Sequence, residues 1–267
     1  MQSVHGEGAG SALFQLLSNL EGNEPQGDPA VWRRRLTAWL TTRGAAEIPP
    51  HVWPLLDEIW RHEAREKPSQ RAADLPRLTS DGRWTDSLSL WRGDITRLQV
   101  GAIVNAANSG LTGCYVPFHG CVDNAIHTAA GPWLRQVCES IMAERGRPEP
   151  VATATMTDGF YLPAKRVLHT VGPIVQASAP SQEDRGALAS CYQACLAAAL
   201  ASSVDSVAFC AISTGVFGYP KRAAALVSLA AIQGFLAGRG DAPHVILAAF
   251  TAEDEAVYRS VIEEMPA

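Results

Sequence analysis

Asn105-Ala106-Ala107-Asn108-Ser109-Gly110-Leu111-Thr112-Gly113-Cys114-Tyr115-Val116-Pro117-Phe118-His119-Gly120-Cys121-Val122-Asp123-Asn124-Ala125-Ile126-His127 is the stretch around which the chain is organised. The apolar run Ala102-Ile103-Val104 leads into two asparagines, Asn105 and Asn108. A turn-rich loop then presents two cysteines and a histidine, and Asp123 stands just before helical periodicity begins. Polar groups at the end of a buried strand sit where open α/β sheets bind ligands.

Cys114, His119 and Cys121 supply two thiols and one imidazole within eight positions. Such a soft-to-borderline set suits Zn²⁺, and three protein ligands leave one tetrahedral position for water or substrate. The spacing differs from a paired-cysteine zinc ribbon, and no CxxC pair occurs in the chain. Spacing alone leaves open two small hydrophobes and a loop histidine.

Working outward, Ser11–Leu20 and residues 28–43 carry apolar residues at helical spacing. Trp32, Leu36, Trp39 and Leu40 form one stripe, with Arg33, Arg34 and Arg35 mostly off it. Asp28-Pro29 is a helix start, Asp as N-cap and Pro in the first turn. Trp53, Leu56, Ile59 and Trp60 begin a further helix that ends in the charged run through Lys67. The first ten residues are Gly-rich and expected to be mobile, and Lys67–Ser80 reads as a linker. From there strands and helices alternate. Strands are expected at Leu88–Trp91, Ala102–Asn105, Thr153–Thr157, Val167–Val171, Val204–Ile212 and His244–Phe250. Helices are expected from Val122 to about Glu144, interrupted near Gly131-Pro132, and at Ala187–Ala201, Lys221–Leu236 and Glu253–Glu263. Such alternation predicts a sheet with helices on both faces.

The chain has 267 residues, room for one large domain or two smaller ones. A net charge of -5 provides no global basic field to recruit nucleic acid, so any phosphate site must be local. Six cysteines in this length do not make a disulfide scaffold. No signal-peptide pattern and no bilayer-spanning apolar run is read, and a cytoplasmic enzyme is expected. Cys191 and Cys195, four apart on an Ala-rich helix, read as small core residues, as do Cys138 and Cys210. His127 and His169 read as buried, hydrogen-bonded histidines.

Ser213-Thr214-Gly215-Val216-Phe217-Gly218 is a second glycine-bearing turn between a strand and a helix. Its amides, with the N-terminus of the Lys221 helix, suit a diphosphate without net positive charge. It lacks the ending of a Walker loop and is unlike GxGxxG; a plain connecting loop is the other reading. Asp94, closing the first strand, can accept from an exocyclic amino group such as that of adenine, or can cap a turn. Phe250, ending the last strand, can stack on a base or fill the core.

Together these residues resemble the macrodomain family, the ADP-ribose-binding fold. Gly93-Asp94-Ile95-Thr96, Ala102–Asn108, Val122–His127 and Ser213–Gly218 match its motifs in order. The resemblance implies a three-layer α/β/α macrodomain with a mixed central sheet over residues 79–267, preceded by a helical extension and linker over residues 1–78. Cys114, His119 and Cys121 ahead of Val122-Asp123 resemble a narrower group, the zinc-dependent macrodomains, which also carry an N-terminal helical extension. Some of its members are encoded beside a sirtuin-like ADP-ribosyltransferase, implying an opposing partner of that kind.

By position, the resemblance implies that Asp94 and Ile95 hold adenine and that Ser213, Thr214, Gly215, Val216 and Phe217 cradle the diphosphate. Cys121, Val122 and Asp123 line the distal ribose beside one Zn²⁺ held by Cys114, His119 and Cys121; Asn108 faces that ribose. The implied activity is removal of mono-ADP-ribose from acidic side chains of modified proteins, with Asp123 and Asn108 as catalytic groups. Asp123 would orient or deprotonate a water. Because two thiolates already offset the Zn²⁺ charge, positioning of substrate and water is favoured over a strong hydroxide. Two alternatives stand: a reader that binds ADP-ribose without turnover, and a deacetylase of O-acetyl-ADP-ribose.

Overall fold

The computed structural model describes residues 7–79, 84–177 and 179–265. The Gly-rich start falls outside the described residues as far as residue 6, as does Ser80 at the end of the expected linker.

Three helices come first: α1 (Glu7–Glu21), α2 (Pro29–Thr41) and α3 (Trp53–Glu66). Asp28 caps α2, its Oδ1 accepting from the amides of Ala30 and Val31 at 3.0 Å each, while Pro29 occupies the first turn. Leu16 and Leu17 of α1, Leu36 of α2, and Leu56, Ile59 and Trp60 of α3 close a small core of their own. Its rim carries ion pairs between Arg33 and Glu63 and between Arg35 and Glu21.

The segment expected as a linker is built into the sheet domain. Gln70–Arg71 forms β1, which pairs in parallel with β3 (Leu98–Gln99), and Ala72 is buried in the main core. In between lies β2 (Leu88–Arg92); after β3 come β4 (Ala102–Ala106), α4 (Val122–Ala130), α5 (Pro132–Arg145), β5 (Thr155–Asp158) and β6 (Arg166–Thr170). The chain continues with α6 (Gln182–Ala201), β7 (Ser206–Phe209), α7 (Lys221–Leu236), β8 (His244–Ala249) and α8 (Ala252–Glu264). Gly131, at φ 85°, and Pro132 separate α4 from α5 where the sequence expects an interruption.

The main sheet has the order β2-β8-β7-β4-β6-β5. Every neighbouring pair is parallel except β5 with β6, so the sheet is mixed, as expected. β7 and β8 are buried along their whole length, as central strands covered on both faces must be. The crossovers through α6 and α7 step one way across the sheet and that through α4 and α5 steps the other way. With right-handed connections these two groups lie on opposite faces, giving three layers. Among the described residues no helix is long and apolar enough to cross a membrane.

The helical unit seats on α4 and α5. Trp133 meets Trp53, Trp60 and Tyr161 at ring-centroid distances of 5.4, 6.4 and 5.0 Å. Trp60 Nε1 donates to Thr128 O at 3.1 Å, and the Glu139 carboxylate accepts from the amide of Ala45 at 3.0 and 3.1 Å.

Candidate functional site

β2, β4, β6, β7 and β8 all run one way, so their carboxyl ends share one edge of the sheet. That edge carries Asp94, Asn108, Gly172, Ser213 and Phe250, and a cavity of about 1220 Å³ opens there. Asp94, Ile95, Asn108, Cys114, His119, Cys121, Val122, Asp123, the Ser213–Phe217 loop and Phe250 all line it. Residues that the sequence places over more than 150 positions are thus brought to one wall because parallel strands end together.

Asp94 follows β2 and caps the short 3-10 turn Ile95–Arg97; its Oδ1 accepts from Thr96 N at 2.9 Å and Thr96 Oγ1 at 2.8 Å. Both bonds fall on one oxygen, and Oδ2 has no donor among the described residues. Capping and ligand recognition, two alternatives in the sequence, are therefore compatible in one carboxylate. Ile95 is buried, whereas Phe250 is 75% exposed at the cavity rim, so it is not a core residue.

The turn after β7 departs from ordinary backbone at Ser213, a non-glycine residue with φ 66°. Gly172, after β6, makes that approach feasible: a Cβ on Gly172 would lie 2.1 Å from Ser213 Oγ. The turn is braced by Gly218 N to Gly215 O at 3.0 Å, Tyr219 N to Ser213 O at 3.0 Å and Val175 N to Phe217 O at 2.8 Å. The amides of Gly215, Val216 and Phe217 have no acceptor among the described residues. A Cβ on Gly215 would meet nothing within 4 Å, so the turn faces open cavity.

The Cys114 loop brings its three donors together. Cys114 Sγ lies 3.6 Å from His119 Nδ1, and the donor atoms of Cys114, His119 and Cys121 all lie within 4.8 Å of one another. Zn–S of about 2.3 Å and Zn–N of about 2.1 Å in a tetrahedron put sulfur and nitrogen roughly 3.6 Å apart, so the donor set fits zinc. Cys121 is the N-cap of α4 and its Sγ accepts from Asn124 N at 3.4 Å. Burial, opposed by that amide, and the neighbouring Cys114 and Asp123 push the Cys121 thiol up to about 11. A cation between the sulfurs would reverse this balance.

Asp123, in the first turn of α4, is buried at the cavity wall. Its Oδ1 accepts from Asn105 Nδ2 at 2.8 Å and its Oδ2 from Asn108 Nδ2 at 3.3 Å. Burial pushes its carboxyl up to about 6, against the Asn105 hydrogen bond and the Arg135 charge. Asn108 also donates to Gly113 O at 3.0 Å and accepts from Gly110 N at 2.9 Å. Its amide is thus occupied in shaping the loop and holding Asp123.

A second group, His127, Cys138 and His169, also has donor atoms close enough for a metal. Within it, the ring nitrogens of His169 already have partners. Asn105 Nδ2 can only donate, so His169 Nδ1 accepts from it at 3.2 Å, and the ring proton on Nε2 faces Thr157 Oγ1 at 3.0 Å. Both nitrogens of His169 are committed, as the sequence expects of a buried histidine. His127 differs: neither ring nitrogen makes a hydrogen bond of good geometry among the described residues, the Leu111 backbone offering only a poorer one, and Nε2 lies 3.6 Å from Asp123 Oδ1. Burial foremost, then the His169 and Arg135 charges, holds its imidazole well below the usual range. Cys138, Cys191, Cys195 and Cys210 are buried core residues, as read from the sequence.

Three contributions were invisible in the motifs. Thr37 and Lys67 of the N-terminal unit reach the cavity wall, and the Arg34 guanidinium lies 4.1 Å over the Phe118 ring. The helical unit therefore borders the site. Arg135 is buried on α5 between Leu134 and Cys138; an arginine on an apolar helical stripe was the available signal. Gly172, in Val171-Gly172-Pro173 after a strand, was another.

A three-layer α/β/α domain with its ligand cavity at the carboxyl ends of parallel strands, and a thiol–imidazole group on the cavity wall, is the class of protein that fold and site define. The family described as "Macro domain" matches residues 104–228. The chain is 47% identical over 190 residues to a protein named protein-ADP-ribose hydrolase from Treponema medium, covering 71% of this chain and 72% of that protein. It is 37% identical over 227 residues to a protein of the same name from Staphylococcus aureus, covering 84% of each. A solved Trypanosoma brucei macrodomain in complex with ADP-ribose superposes with a TM-score of 0.66 at 27% identity, covering 89% of this chain and 97% of that one. The chain belongs to the macrodomain family.

Proposed function

We propose that the protein is a hydrolase that releases mono-ADP-ribose from acidic side chains of modified proteins, with a zinc ion held by Cys114, His119 and Cys121. One observation carries this reading. A single cavity has free backbone amides at Gly215–Phe217, a carboxylate with an unused oxygen at Asp94, and a buried carboxylate beside a thiol–imidazole group at Asp123. An adenine, a diphosphate and a distal ribose each find their chemistry there in order along the wall. The names of the relatives from Treponema medium and Staphylococcus aureus support the hydrolase activity, and the Trypanosoma brucei complex supports the ligand.

Each residue has a role by its placement. Asp94 accepts from the adenine amino group through Oδ2, since Thr96 occupies Oδ1. The Gly215–Phe217 amides of the Ser213–Phe217 turn donate to the diphosphate, which a turn with no basic side chain can do because the N–H dipoles converge. Phe250, exposed at the rim, stacks on the adenine face. Bound zinc would supply an electrophile that orients the distal ribose and the scissile linkage. Asp123 receives the proton of the water that attacks, and Asn105 and Asn108 hold its two oxygens so that the carboxylate does not rotate away. The ester at the anomeric carbon is cleaved, water supplying the hydroxyl and the acidic side chain departing as carboxylate.

Incubating the purified protein with an automodified ADP-ribosyltransferase and following free ADP-ribose tests the reading. Release with turnover supports it. Stoichiometric binding without release identifies a reader, and activity confined to O-acetyl-ADP-ribose identifies a deacetylase.

A further inference from the structure

We infer that Arg135 is a positioning residue that ties the Cys114 loop to the carboxyl end of α2, so that the N-terminal helical unit sets where the metal-binding side chains stand. The inference rests on the zinc reading of Cys114, His119 and Cys121 given above.

Arg135 is only 7% exposed, and no carboxylate lies in ion-pair range of it among the described residues. A buried guanidinium left unpaired would be costly. Here backbone carbonyls from two directions satisfy it. The two hydrogens of Nη1 are shared among Leu40 O at 2.8 Å, Thr41 O at 3.1 Å and Arg43 O at 2.6 Å. Nε donates to Thr112 O at 2.7 Å, and Nη2 reaches Cys114 O at 3.5 Å. The guanidinium also lies 4.4 Å over the Tyr115 ring.

The first set of carbonyls closes α2 and the turn after it. A helix leaves its last carbonyls unpaired and carries partial negative charge there, so a cation is favoured. The second set belongs to the loop itself, and one of its carbonyls is that of a proposed zinc ligand. The loop's other ties are Asn124 Nδ2 to His119 O at 2.9 Å, the short-range bond of Asn108 Nδ2 to Gly113 O and the Arg34 guanidinium over Phe118. Tyr115, Val116 and Phe118 are 44%, 59% and 47% exposed, and among these ties only Arg135 joins the Cys114 carbonyl to α2. A planar fork with five donors can span both sets, whereas an ammonium, a single point, cannot. The helical unit thus bears on the site through Arg135 as well as through its own side chains at the rim.

Residues that orient ligands without touching the metal characteristically change metal affinity by roughly 10–100-fold when replaced. Zinc affinity of the full-length protein is read by competition with a chromophoric chelator. Arg135→Lys should lower it at least about tenfold while unfolding remains cooperative and affinity for free ADP-ribose is retained. Trp60→Phe removes a different hydrogen bond across the same seam, that to Thr128 O, and should leave zinc affinity unchanged. Equal losses in the two variants, or unchanged zinc affinity in a folded Arg135→Lys protein, overturn the inference. If Arg135→Lys does not fold, the wild-type chain decides by nitrogen-15 NMR: hydrogen exchange at Arg135 Nε should slow on zinc binding, and exchange unmoved by saturating zinc overturns it. A wild-type chain that takes up no zinc removes the metal reading itself, a different result from zinc bound with equal affinity by both proteins.

Discussion

Asn105 Nδ2 donates to Asp123 Oδ1 at 2.8 Å, joining the carboxyl end of the central strand β4 to the first turn of α4 through two buried side chains. The same amide nitrogen faces His169 Nδ1 at 3.2 Å. Replacing Asn105 by Ala leaves a buried carboxylate oxygen and a ring nitrogen without a donor. Unfolding in urea should show a loss of about 1–3 kcal/mol, and kcat should fall more than ADP-ribose affinity. Wild-type stability and turnover together would mean that Asp123 needs no such support.

Zinc content is expected to be about one per chain and to be lost in Cys121→Ala, because the donor group is held by three side chains. Elemental analysis decides this, and undiminished zinc in the variant places the ligands elsewhere. Stripping the metal should abolish ADP-ribose release while binding of free ADP-ribose largely survives, since Asp94 and the Ser213–Phe217 turn are separate from the loop. Circular dichroism must accompany the assay, because thiolate sites couple metal to folding.

Asp94→Ala should weaken ADP-ribose binding by about 1–3 kcal/mol, the range for removing a charged hydrogen-bond partner. Calorimetry with wild-type affinity would remove Asp94 from the adenine site.

Gly172 and Gly215 should respond differently to substitution. A methyl on Gly172 collides with Ser213 Oγ at 2.1 Å, so Gly172→Ala should destabilise the protein by about 1–3 kcal/mol and distort the turn. Gly215 has open space around its Cβ position. Gly215→Glu should therefore keep wild-type thermal stability and lose ADP-ribose affinity, because bulk and negative charge enter where the diphosphate approaches. A stability loss in Gly215→Glu as large as that in Gly172→Ala would mean that the turn is packed against protein instead of facing the cavity.

Burial lowers His169 to about 4 in the folded protein, against about 6.5 for an unfolded chain. The folded state then resists protonation that the unfolded state accepts. Its contribution, at most about 3 kcal/mol, is complete above pH 6.5 and is lost progressively as pH falls towards 4. Asp123 works in the opposite sense: raised to about 6, it binds its proton earlier in the folded state. Comparing wild type with His169→Gln cancels the Asp123 share. The stability difference between the two should shrink from pH 7.5 to pH 5, and a difference independent of pH would show that His169 titrates normally.

Much of this protein is written in short windows of its sequence. The Lys221–Leu236 helix, the Asp28-Pro29 start of α2 and the break at Gly131-Pro132 follow from periodicity and from residues that cap or interrupt helices locally. The two thiols and the imidazole lie within one loop, so their chemistry is legible from spacing. Tertiary structure alone decided the rest. Periodicity carries no strand order, so the placement of β8 between β2 and β7 depends on which hydrophobic faces pack. The stretch expected as a linker looked polar because an edge strand of two residues, paired with Leu98–Gln99, has no room for a pattern. Arg135 reads as an interruption of an apolar helical face until Leu40, Arg43, Thr112 and Cys114 converge on it. Backbone carbonyls carry no sequence signature, and only the fold brings together the ones that satisfy a buried charge.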